Sequence, residues 1–189
     1  MDILDYLHSL SEEEKARATA AIMDVEERAL ENMQIMPGAL ELCRVLDDRG
    51  LPRALVTRNV TRSVDFFHKT HFTLPPFVPA LSREFMPYKP HPASLQHIAS
   101  HWGIQPSELM MIGDSAKDDV VCGRRAGAVT VLLDTVGHYS HPDDLEGEQR
   151  PDFHVTCLDQ ITQLLTEVLV PQPPPREPRP LADAADAAV

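Results

Sequence analysis

Three polar segments carry residue types that could do chemistry together. They are Thr57-Arg58-Asn59, Tyr88-Lys89-Pro90-His91-Pro92 and Gly113-Asp114-Ser115-Ala116-Lys117-Asp118-Asp119. A hydroxyl and backbone amides donate to phosphate oxygens, and an ammonium neutralises their charge. Carboxylates hold a hard cation such as Mg²⁺, which prefers oxygen ligands. Taken singly, each segment has a plain reading. A threonine after a strand is a cap, a Lys-Pro pair is surface, and acids after Gly-Asp-Ser suit a helix N-terminus. Placed on one rim, the three would bind a phosphate beside a divalent cation.

Their placement follows from the elements around them. Arg53–Val56 and Leu109–Ile112 are short apolar runs, read as buried strands, and Ala128–Leu133 is a β-branched strand. Phe72–Leu81, aromatic and punctuated by prolines, is read as a strand with irregular flanks, and Phe153–Thr156 as a last one. Helices are expected at Ala39–Asp48, Thr61–Thr70, Ala93–Trp102, Lys117–Arg125 and Leu158–Leu169, with Gly50, Gly103 and Gly127 as stops. This alternation argues an α/β fold, a Rossmann-like parallel sheet of about four strands with helices on both faces. Ligands of such sheets bind at the carboxyl ends of the strands, where the three segments lie.

The N-terminal third is helical. Ser11-Glu12-Glu13-Glu14 is a capping box. Ala18, Ala21, Ile22, Val25, Ala29, Leu30 and Met33 then recur at helical spacing, and Asp2–Leu10 is read as a shorter helix. At the other end, PQPPPREPRP followed by LADAADAAV has little to bury, so residues 171–189 are read as a disordered tail. A Pro-rich-tail partner of SH3 type is conceivable there.

Composition narrows the function classes. The 189 residues carry 17 basic and 29 acidic side chains, a net charge of −12. That balance disfavours general binding to nucleic acid or to an anionic membrane. No apolar run approaches the length of a membrane span, and the acidic N-terminus is no secretory signal. Cys43, Cys122 and Cys157 form no disulfide framework or CxxC pair, which fits a reducing, cytoplasmic setting. Cys122 is read as a small core residue. His97 and His101, four apart on one helix, are read as surface residues. His138 and His141 lie in a polar loop near the rim.

The order of these motifs resembles the haloacid dehalogenase-like (HAD) hydrolase superfamily, and within it the helical-cap branch that includes phosphoglycolate phosphatases. ALVTRN (Ala54–Asn59) is similar to the second family motif, YKPHPASL (Tyr88–Leu95) to the lysine-bearing third, and MIGDSAKDD (Met111–Asp119) to the metal-binding fourth. MPGALELCRVLDDRG (Met36–Gly50) is similar to the link from cap to core. The resemblance implies a partial helical cap at 1–35 and a HAD-like core at 36–170. It implies that Thr57, with Arg58 and Asn59, binds phosphate, and that Lys89 steadies both the phosphate and the catalytic carboxylate. Asp114 would be a Mg²⁺ ligand. Asp118 would be a second ligand or would orient one, with Asp119 as the competing assignment. The implied activity is Mg²⁺-dependent hydrolysis of a small phosphorylated metabolite through an aspartyl-phosphate.

One family motif has no counterpart. The family's nucleophile and general acid/base come from a DxD at the end of the central strand, and no Asp-x-Asp occurs in this sequence. That strand and the front of the cap are expected to lie ahead of Met1, between the Arg53–Val56 and Leu109–Ile112 strands in space. The chain as given is then expected to be inactive or nearly so. The alternative is a non-catalytic phosphate-binding or regulatory protein.

Overall fold

The computed structural model describes residues 10–139 and 145–168. The helix expected at 2–10, His141 and the 171–189 tail therefore fall almost wholly outside the described residues. The chain divides into two compact units, Met1–Gln34 and Ile35–Val189.

The first unit contains α1 (Glu12–Glu31). Its capping box forms as the sequence indicates, with the Ser11 amide donating to Glu14 Oε2 at 3.1 Å. Three acids in the first turn complement the helix dipole. The apolar stripe is only partly covered. Leu30 is buried, whereas Val25 is 64% exposed.

The second unit alternates helices and strands. In order come α2 (Ala39–Asp48), β1 (Leu55–Val56), α3 (Thr61–Thr70), β2 (Ala80–Leu81), α4 (Ala93–Trp102) and β3 (Met110–Gly113). A wide π-turn (Ala116–Val120), α5 (Val121–Ala126), β4 (Val129–Leu133), β5 (Phe153–Val155) and α6 (Leu158–Gln163) follow. A second π-turn, Leu164–Val168, extends α6. Glycines with left-handed backbones end α4 and α5, at Gly103 (φ 67°) and Gly127 (φ 79°).

All strand pairs are parallel, and helices cover both faces. On one face Leu95, Ile98 and Ala99 of α4 pack with Leu81, Met111 and Cys122. On the other, Leu42 of α2 and Ile161 of α6 pack with Val131, Leu133 and Val155. β4 is buried on both sides, which is why it reads as a continuous apolar run. Its one polar residue, Thr130, is fully buried and satisfied. Its amide and hydroxyl both donate to Asp152 Oδ2 at 2.8 Å.

The expectation of one sheet of about four strands needs correcting. Among the described residues five strands form two sheets, β1-β2 and β3-β4-β5. No described strand pairs with the free edge of β3, or with the edge of β1 turned away from β2. The Phe72–Leu81 strand shrinks to Ala80–Leu81. Pro75, Pro76 and Pro79 remove ladder donors there, and the aromatic residues serve another purpose. Phe72 and Phe77 stack with ring centroids 5.0 Å apart, and the buried Arg53 guanidinium lies over both rings. Arg53 also grips Asp47 through two 2.8 Å hydrogen bonds, a bidentate clamp between the end of α2 and the start of β1.

α3 starts without a side-chain cap of its own, and Glu84 supplies one from afar. Its carboxylate accepts from the Thr61 amide (3.1 Å), the Thr61 hydroxyl (2.7 Å) and the Ser82 hydroxyl. The Ser82 hydroxyl, then that of Thr61, pulls the Glu84 carboxyl down to about 2 from its ordinary 4.5. A carboxyl depressed on folding stabilises the fold above its unfolded value, and that contribution fades as pH falls through the folded one. Wild type is therefore expected to exceed Glu84→Gln in stability at neutral pH. The gap should close between about pH 4.5 and pH 2 in urea melts, and a gap that stays constant with pH would refute this cap. Glu84 is exposed, so solvent screening keeps the effect small.

Candidate active site at the carboxyl ends of two sheets

β1 and β3 deliver the Thr57 and Asp114 segments to their carboxyl ends, and the Lys89 segment lies between β2 and α4. Thr57 directly follows β1, where its amide donates to Leu81 O at 2.9 Å. Its hydroxyl accepts from the Asn59 amide at 3.1 Å, a tight turn that fixes both residues. Asn59 is exposed, and its carbonyl accepts from the Arg83 amide.

Lys89 is buried between the two sheets. Its ammonium donates to Val56 O at 3.1 Å and to Asp119 Oδ1 at 2.5 Å. Lys89 is 9% exposed and Asp119 only 4%, so each charge depends on the other for solvation. The second Asp119 oxygen accepts from the Ser115 amide at 3.1 Å. Arg58 reaches across to Asp118 Oδ2 at 3.3 Å and lies over the Tyr88 ring, 5.2 Å from its centroid. Thus Arg58 meets Asp118 and Lys89 meets the adjacent Asp119, and Thr57 and Asp114 follow the last residues of β1 and β3.

The two adjacent acids separate cleanly. Asp118 stays at the rim with Arg58 and Ser115, and Asp119 takes the buried place beside Lys89. The π-turn causes this. The Val120 amide donates back five residues to Ser115 O at 3.2 Å, while the Asp119 amide makes the ordinary four-residue bond at 2.8 Å. A π-turn admits one extra residue and shifts the register of all that follow. Counting four residues on from Asp114 points to Asp118, and only the wide turn brings Asp119 inward.

Gly113 makes room for this carboxylate. A Cβ built there would lie 2.2 Å from Asp119 Oδ2. Gly113→Ala is expected to displace Asp119 from Lys89 and lower stability by about 1–3 kcal/mol, read from a urea melt. An unchanged midpoint would mean that the carboxylate has room to move.

Asp114 is exposed, and no other side chain engages its carboxylate among the described residues. No three His, Cys, Asp or Glu side chains converge on a metal position among those residues. Asp119 has both oxygens occupied by Lys89 and Ser115. Among the described residues, Asp114 thus presents a carboxylate at the rim without a side-chain partner. That fits a Mg²⁺ shared with a ligand phosphate, since such ions commonly take one or two carboxylates plus phosphate oxygens.

The remaining expected residues play other parts. Cys122 is fully buried, its thiol donating to His91 O at 3.3 Å, and burial pushes its pKa up. His97 and His101 are exposed on α4, with His97 beside the Phe85 ring. Sequence reasoning missed Tyr139. Its hydroxyl accepts from the Ala116 amide at 3.0 Å, and a lone tyrosine in a polar loop gave no signal of this.

This parallel α/β core, with its lysine and acids at the strand ends, matches a HAD-hydrolase-like family model over residues 88–163. The chain is 47% identical over 165 residues to a haloacid dehalogenase-like hydrolase domain-containing protein of Arabidopsis thaliana, covering 87% of this chain and 66% of that protein. It is 31% identical over 163 residues to a phosphoglycolate phosphatase of Vibrio vulnificus, covering 85% and 68% respectively. A HAD family hydrolase of Deinococcus radiodurans, solved with bound phosphate and sodium, shares the fold with a TM-score of 0.65 and 21% identity. That likeness covers 82% of this chain and 69% of the solved one. The chain belongs to the haloacid dehalogenase-like hydrolases. It spans about two thirds of the length of these curated relatives. Among the described residues no helix is long and apolar enough to cross a membrane.

Proposed function

We propose that this chain forms the phosphate- and cation-binding part of a Mg²⁺-dependent phosphatase acting on a small phosphorylated metabolite. The observation that carries the reading is the buried Lys89–Asp119 pair between the carboxyl ends of β1 and β3, with the free Asp114 carboxylate beside it. The phosphoglycolate phosphatase among the relatives supports the reaction class.

Each residue then has a part. The Thr57 hydroxyl and the amides after β1 donate to phosphate oxygens. Lys89 supplies positive charge that Asp119 holds in place, and Arg58 balances a further anionic group from the rim. Asp114 would hold the Mg²⁺, with Asp118 or Asp119 orienting it, and the ion would neutralise phosphate charge as the ester breaks. In such an enzyme an aspartate is phosphorylated and then freed by water. This sequence contains no Asp-x-Asp to serve, so the chain by itself is expected to bind phosphate without hydrolysing esters.

That expectation favours, as a second reading, a phosphate-binding protein without turnover. One experiment addresses both. Inorganic phosphate is titrated calorimetrically into the 189-residue chain with and without Mg²⁺, beside an aryl-phosphate assay. Mg²⁺ should tighten phosphate binding in wild type but not in Asp114→Asn, with hydrolysis at background. Mg²⁺-independent binding would refute the cation assignment. Hydrolysis lost in Asp114→Asn would show that another carboxylate of this chain is the nucleophile.

A further inference from the structure

The loop after β4 is tied back to the turn that carries Asp114. Asp134, buried at the end of β4, accepts from the His138 amide at 2.8 Å and from the Tyr139 amide at 2.9 Å. Those bonds close a loop between residues 134 and 139. Behind the carboxylate stands His154, whose Nε2 is buried without a hydrogen-bond partner and lies 3.8 Å from Asp134 Oδ2. The loop delivers the Tyr139 hydroxyl to the start of the π-turn. There it accepts from the Ala116 amide at 3.0 Å and points its hydrogen towards Asp114 O at a longer 3.5 Å. The tyrosine packs against Ala116, Val120 and Leu132, so its ring has little freedom to leave.

We propose that Tyr139, held by Asp134, is a positioning residue that fixes the Asp114–Ala116 backbone and so aims the Asp114 carboxylate at the rim. The proposal rests on the reading of Asp114 as a cation ligand. Three features carry it. Among the described residues no side chain holds the Asp114 carboxylate, so its direction there depends on its backbone. The Ala116 amide, at the open start of a turn, finds its acceptor in Tyr139. The loop that brings Tyr139 is anchored on β4, the neighbour of the strand that carries Asp114. Groups that orient a metal ligand from behind typically matter about 10–100-fold in metal affinity.

The test uses Mn²⁺ as a spectroscopic stand-in for Mg²⁺, titrated into the 189-residue chain with saturating inorganic phosphate present and followed by electron paramagnetic resonance. Tyr139→Phe keeps the ring and removes the hydroxyl. It should weaken Mn²⁺ binding about tenfold and speed amide exchange at Ala116. Exchange in the β4 core, at Val131 and Leu132, should stay as in wild type. Asp134→Asn should shift both readouts in the same direction, and Asp114→Asn should abolish binding. If Asp114→Asn abolishes binding while Tyr139→Phe leaves affinity unchanged, the positioning role is wrong and the cation assignment stands. If neither variant alters Mn²⁺ binding, the assignment of Asp114 fails and the proposal falls with it. Faster exchange throughout the β4 core in Tyr139→Phe would mark general loosening and overturn the specific role.

Discussion

Joined at its N-terminus to an apolar strand ending in Asp-x-Asp-Gly-Thr, this chain should gain Mg²⁺-dependent phosphatase activity and thermal stability together. The two effects share one cause. β1 and β3 each have an edge that pairs with no described strand. A parallel strand between them would give those backbone groups partners, each bond contributing about 1 kcal/mol. It would also bring a carboxylate beside Asp114, and two carboxylates hold Mg²⁺ better than one. The Lys89 ammonium and the cation would keep that aspartate ionised as a nucleophile. In an unrelated protease, removing the nucleophile costs about 10⁶ in turnover, which sets the scale of the gain. Turnover should vanish when the first added aspartate is changed to Asn, while the rise in melting temperature persists. An extended chain that melts higher yet hydrolyses no small phosphate ester would move the protein to the binding class.

The second large effect is on stability. Lys89→Met should destabilise the chain by about 3–5 kcal/mol, because it leaves Asp119 charged, buried and without its cation. The double variant Lys89→Met, Asp119→Leu should recover much of that loss, since both charges are then gone. Urea melts of wild type, the single variants and the double variant close the cycle. A single-variant cost below about 1 kcal/mol would mean that water reaches Asp119, against the burial seen here.

Much of this arrangement was legible in the sequence, and for identifiable reasons. Ala39–Asp48, Thr61–Thr70 and Ala93–Trp102 fall where helical spacing and end signals put them, because those signals are local. The capping box at Ser11 is equally local. The order of Thr57, Lys89 and Asp114 pointed to the strand ends because a parallel sheet delivers every such loop to one side.

What failed to show depends on long-range pairing or on turn register. Nothing in Leu55–Val56 or Met110–Gly113 says that the two strands part into separate sheets, since each is a short apolar run in either case. Nothing in Asp118-Asp119 says which acid turns inward. Neighbours on a helix point about 100° apart, so only one can face Lys89. The choice belongs to the π-turn, whose wide bond from Val120 to Ser115 leaves no mark in composition. The small Gly113, which leaves space for Asp119, was the nearest thing to a signal.

The division into two sheets has a consequence for how tightly the protein can hold a ligand. β1 and β2 are joined through two residue pairs, whereas β4 pairs on both edges and is buried on both faces. Thr57 stands on the half with the shorter pairing and Asp114 on the more extensively paired one. A phosphate gripped from both sides, as proposed, would first have to order the half that carries Thr57. Part of the attraction would then go into ordering the protein, and the affinity would fall short of what the contacts alone give. Lys89, which reaches from the Val56 carbonyl to Asp119, is the rivet that would limit this loss.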